Sequence, residues 1–95
     1  MDNTMKDLII VKKWLAEAKA RDLKAESRGY GAEFTELATT TNDNELGFVG
    51  TITRETEKAI AIETAICDVM GNERNWTVWL PKSQIVRQAK TELAA

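Results

Sequence analysis

The chain is 95 residues long, with no histidine, one cysteine, one proline and a net charge of −2 from 13 basic and 15 acidic side chains. These counts exclude Ser-His-Asp and Cys-His relays, histidine-based zinc sites, internal disulfides and thiolate metal cages. Length, 43% apolar and 29% charged residues, and the lack of any apolar run near the roughly 20 residues of a membrane span predict a single soluble, cytoplasmic domain over residues 1–95.

The first element admits two readings. Thr4 followed by Asp7 is a weak capping box, and Leu8, Val11, Leu15 and Ala18 recur at helical spacing, which predicts a helix from about Met5 to Ser27. Lys13, Glu17, Arg21 and Lys24 form its polar stripe. The β-branched run Leu8-Ile9-Ile10-Val11 fits equally well a short strand leading into a helix that starts near Lys12. Trp14 lies beside the apolar stripe and reads as a core or interface anchor. A second apolar line through Met5, Ile9, Ala16, Ala20 and Leu23 suggests burial on two sides, and hence docking or a homodimer. Gly29 and Gly31, on either side of Tyr30, end the helix.

Beyond the glycines the period changes. Asn42-Asp43-Asn44-Glu45 is a turn signal with strands expected on both sides, and Phe48, Gly50 and Ile52 alternate with Val49, Thr51 and Thr53. Lys58 to Val69 is apolar on both faces, with Ile60, Ile62, Thr64 and Ile66 on one and Ala59, Ala61, Ala65 and Cys67 on the other, the mark of a central strand. Gly71 to Asn75 closes a hairpin onto Trp76-Thr77-Val78-Trp79-Leu80, which places Trp76, Val78 and Leu80 together and Trp79 opposite. Pro81 ends that strand and opens a helical turn at Lys82–Ile85. Ile85, Ala89 and Leu93 at i, i+4 and i+8 predict a short C-terminal helix.

The expected fold is α+β: an N-terminal helix on a small, curved, mostly antiparallel sheet of three to five strands, with barrel-like closure an option, and a short C-terminal helix. No carboxylate spacing matches a metal loop and no glycine pattern matches a phosphate loop, so no metal, cofactor or catalytic residue is expected. Cys67, with no histidine to activate it, reads as a small core residue. Basic charge sits at the chain ends: residues 1–25 carry six basic and four acidic groups, and residues 74–95 carry four and one. Trp79, Lys82, Gln84 and Arg87, with Tyr30 as a neighbour, form the candidate partner-binding set, in which an aromatic, two cations and an amide face a nucleic-acid strand or a protein groove.

Arg54-Glu55-Thr56-Glu57-Lys58-Ala59 and Trp79-Leu80-Pro81-Lys82-Ser83-Gln84-Ile85 together resemble the ETEKA…WxPKSQI pattern of small β domains in phage and other mobile-element proteins. The resemblance implies a phage or mobile-element origin and a non-enzymatic protein that docks on host nucleic-acid or defence machinery as a steric inhibitor, in the manner of an anti-CRISPR protein. The alternative is an accessory module that binds single-stranded nucleic acid through Trp79 and the C-terminal cations.

Overall fold

The computed structural model describes residues 5–27 and 31–92. In it the β-branched run at the start is a strand, β1 (Met5–Lys12), and the helix α1 spans Lys13–Glu26. The long-helix reading is thus corrected to the strand-then-helix one. Ile9, Ile10 and Val11 lose little side-chain freedom in a strand and more in a helix, while four alanines favour helix within α1. The second apolar line drawn through Met5, Ile9, Ala16, Ala20 and Leu23 therefore does not exist as one helix face.

The remaining strands are β2 (Glu33–Phe34), β3 (Leu37–Thr39), β4 (Glu45–Glu55), β5 (Ala59–Cys67), β6 (Glu73–Pro81) and β7 (Ile85–Glu92), with a 3₁₀ turn at Lys82–Gln84. All pairings among them are antiparallel. Strands β6, β5, β4, β1 and β7 lie side by side in that order, and β2 and β3 are short additions beside β5 and β4. Among the described residues the result is one α-helix on a seven-stranded sheet, more strands than expected. The sheet does not close into a barrel, because β6 and β7 end as its two edges.

β4 and β5 approach closely at Gly50, the last pair before β4 leaves β5. Gly50 pairs with Asp7 on one side and Thr64 on the other. A Cβ at Gly50 would collide with the Glu63 carbonyl oxygen and stand 2.9 Å from its carbonyl carbon, so only glycine permits this approach. Towards its start β4 parts from β5, and the β2–β3 segment fills the gap. Phe34 pairs with Ile66, the Thr35 amide donates to the Ala65 carbonyl at 3.1 Å, and the Val49 amide donates to the Glu36 carbonyl at 3.2 Å. These bonds give partners to backbone groups that the divergence of β4 from β5 leaves free.

The core lies between one face of the sheet and α1. Ile9, Val11, Phe48, Ile60, Ile62 and Leu80 are fully buried there, with Leu15 and Ala16 of the helix against them. Trp76 is half-buried on this cluster, as the alternation in β6 predicts. Phe34 meets Phe48 edge to face at 5.2 Å. Leu23, Ala32 and Ile66 form a second cluster at the far end of the helix. Ser27 fastens that end: its amide donates to the Leu23 carbonyl, its hydroxyl donates to the Lys24 carbonyl, and the same hydroxyl accepts from the Ala32 amide at 3.1 Å. β5 is central, as its two apolar faces imply.

The predicted C-terminal helix is absent from the described residues, where Ile85–Glu92 is a strand antiparallel to β1. As a helix this segment would leave the second edge of β1 unpaired beside buried Ile9 and Ile10. The β-branched pair Ile85-Val86 also favours the strand. The turn before it is held by main chain, with the Lys82 amide donating to the Lys58 carbonyl at 2.8 Å and no side chain of Ser83 or Gln84 capping it.

Candidate docking surface

The predicted partner-binding residues separate into distinct surfaces. Trp79 is 40% exposed on the outer face of β6. It pairs with Ala61 of β5, which in turn pairs with Arg54 of β4. Ala61 is itself fully buried, although it faces outward by the alternation that buries Ile60 and Ile62.

Lys82 leaves the 3₁₀ turn towards Glu55 and makes an ion pair with it at 2.7 Å. Gln84 is half-buried in the same turn. Arg87 is exposed on β7 and shares a shallow cleft with Glu55, Lys82 and Val86. The two cations therefore share a cleft with a carboxylate that pairs with Lys82, and Trp79 belongs to a different cleft, beside Lys19, Asp22 and Glu26 of α1. Tyr30 lies outside the described residues.

Trp14 is 55% exposed in the first turn of α1, which overturns its reading as a core residue. α1 turns Leu15 and Ala16 to the core, and Trp14 precedes them on the outside. The Lys13 amide is held by the Asn44 carbonyl at 2.7 Å, so the loop before β4 packs against the helix start. Between them opens a cleft of about 430 Å³ where Trp14 and Val86 stand among Lys12, Lys13, Glu17 and Glu45, with Asn42 and Asn44 at the loop side. Glu45 is engaged within the loop, accepting from the Thr40 hydroxyl at 3.2 Å and from the Asn42 side-chain Nδ2 at 3.4 Å.

Val86, 46% exposed, was not singled out by the sequence. It is the residue skipped in the β1–β7 register, where Val11 faces Ile85 and Ile10 faces Arg87. Such a bulge in an edge strand turns the local side chains. A helix assignment for this segment hides it, whereas the β-branched pair after Pro81 is the signal that could have revealed it.

The bulge lies at one end of β7, and Asp7 secures the other. Asp7 is 13% exposed, pairs with Lys90 and accepts from the Ile52 amide at 2.9 Å, just beyond the last β1–β4 pair. Burial by itself raises the affinity of this carboxyl for its proton. The hydrogen bonds from Lys90 and Ile52 and the Lys90 charge outweigh burial and hold its pKa below the usual aspartate value.

Cys67 is half-buried at the end of β5, less enclosed than a core residue. Among the described residues, no three acidic or cysteine side chains converge on a point that could hold a metal ion. No helix among them is long and apolar enough to cross a membrane. No known protein family, curated protein or solved structure matches the chain.

Proposed function

We propose that the chain is a binding protein that acts by docking on a larger protein complex and obstructing it. The observation that carries this reading is the setting of its exposed apolar groups. Trp14 and Val86 share a cleft with Lys12, Lys13, Glu17 and Glu45, Trp79 shares one with Lys19, Asp22 and Glu26, and four further lysines are tied to carboxylates: Lys82 to Glu55, Lys90 to Asp7, Lys6 to Glu36 and Lys24 to Glu33. Exposed aromatics among charges of both signs suit a protein interface, whereas strand binding to nucleic acid needs a continuous basic track beside the stacking aromatics. A host nucleic-acid or defence complex as target, and an anti-CRISPR-like mode of action, rest on the resemblance of Arg54–Ala59 and Trp79–Ile85 to small phage β domains.

The test is a pair of binding measurements on the purified chain. The proposal expects no affinity for single-stranded DNA or RNA at low salt and stoichiometric co-purification with a host protein complex. Binding to strands that weakens steeply with salt and falls in Lys82→Gln or Arg87→Gln would instead assign the nucleic-acid role.

A further inference from the structure

We infer that β6 is a self-pairing edge: two copies of the chain join β6 to β6, antiparallel, about a two-fold axis through Thr77, so that their sheets become one. Such pairing does not depend on docking to another protein. β6 is nine residues long and pairs with β5 alone; among the described residues no strand lies on its other side. The helix leaves this edge open. α1 packs on β1, β2 and β4, and beside β6 there is a groove of about 170 Å³ lined by Lys19, Asp22 and Glu26.

The free backbone groups of β6 follow from the hydrogen bonds that bracket its pairing with β5. At one end the Asp68 amide donates to the Asn72 carbonyl at 3.1 Å, and at the other the Lys82 amide donates to the Lys58 carbonyl at 2.8 Å. Bonded and non-bonded pairs alternate along an antiparallel ladder, and the register holds without a shift, so the even-numbered residues of β6 bond to β5. Glu73, Asn75, Thr77, Trp79 and Pro81 therefore turn their backbone groups outward. Thr77 is one of these residues and also the midpoint of the strand. A two-fold axis there sets the Glu73, Asn75, Thr77 and Trp79 amides against the Pro81, Trp79, Thr77 and Asn75 carbonyls of the second copy. Pro81, which has no N–H to offer, falls at the last place of the ladder.

The side chains select a second copy as the occupant. In this register Thr77 faces Thr77, Trp76 faces Val78 and Asn75 faces Trp79, with matching faces of the two sheets on the same side. Thr–Thr and aromatic–β-branched pairs are among those that stabilise neighbouring strands. No like charges oppose each other, since Glu73 meets Pro81 and Arg74 meets Leu80. Between Asn75 and Leu80 the strand carries no charge and no bulge. β7, the other edge, carries Arg87, Lys90, Glu92 and the bulge at Val86, features that discourage strand addition.

The test sets charges at the two positions that face each other across the axis. Sedimentation equilibrium of the full wild-type chain, from about 1 μM to about 1 mM, is expected to show a dimer that grows with concentration. Asn75→Lys combined with Trp79→Lys opposes like charges twice, whereas Asn75→Lys combined with Trp79→Glu opposes unlike charges twice. The second pair of substitutions is expected to dimerise at least about tenfold more tightly than the first. Both lose Trp79, so the comparison isolates the register. Asn75 and Trp79 are exposed, and circular dichroism checks that both variants fold. Amide exchange of the wild type needs no variant: the Asn75, Thr77 and Trp79 amides should slow as concentration rises, with those of β7 unchanged. A monomer throughout the range, equal dimerisation of the two variants, or exchange in β6 that ignores concentration overturns the inference.

Discussion

Replacing Gly50 by alanine probes the close approach of β4 to β5. The added methyl would run into the Glu63 carbonyl oxygen and stand 3.1 Å from the Thr64 Cα. These are backbone atoms of the paired strand, so no side-chain rotation relieves the clash. β4 and β5 have to separate where the Thr64 hydroxyl donates to the Val49 carbonyl at 2.7 Å. Overpacking of a core costs about 1 to 3 kcal/mol, and a collision with main chain belongs at the upper end. About 3 kcal/mol in a domain of this size lowers the melting temperature by roughly 12 to 24 °C. Gly71 is the control. Its φ is +83° and nothing lies within 4 Å of a Cβ there, so Gly71→Ala carries only the left-handed backbone penalty of about 1 kcal/mol. Urea unfolding of both variants beside the wild type reads the difference. Gly50→Ala within about 1 kcal/mol of the wild type, or no worse than Gly71→Ala, would refute the close approach of β4 and β5.

Phe48→Ala empties the centre of the core and is expected to cost about 3 to 5 kcal/mol, whereas Trp14→Ala should stay within about 0.5 kcal/mol by the same urea assay. Thr64→Val removes the donor that satisfies the Val49 carbonyl and should cost about 1 kcal/mol, read as a shifted urea midpoint with an unchanged slope. Asp7 has a folded pKa below its unfolded value, so its contribution is present above the ordinary aspartate pKa and is lost as pH falls through the folded value. Asp7→Asn should therefore be less stable than the wild type at neutral pH, and the gap should narrow as unfolding is measured at progressively lower pH in the acid range.

Elements that bury both faces or alternate cleanly were legible in the sequence. Ile60, Ile62, Thr64 and Ile66 announce a central strand, and Trp76, Val78 and Leu80 announce its partner with Trp79 outside, because each pattern is local. β2 and β3, of two and three residues, carry no period of their own. Their pairing follows from the gap that β4 leaves beside β5, a property of the assembled sheet. Ile85, Ala89 and Leu93 keep helical spacing, yet the unpaired edge of β1 decides in favour of a strand. The same nonlocal pairing brings Val86 to Trp14, 72 positions earlier in the chain. Arg87 and Lys82 were recognisable as cations, but the Glu55 that faces Lys82 was not, since a register and not a motif sets that pair.

Amide hydrogen exchange of the chain alone and bound to its captured protein partner addresses the docking account most directly. Slowed exchange is predicted beside the exposed apolar groups, in the first turn of α1 and next to Val86 or around Trp79 in β6. Exchange at all of these sites that matches the isolated chain, or protection confined to the exposed Val69-Met70 hairpin tip, would contradict it.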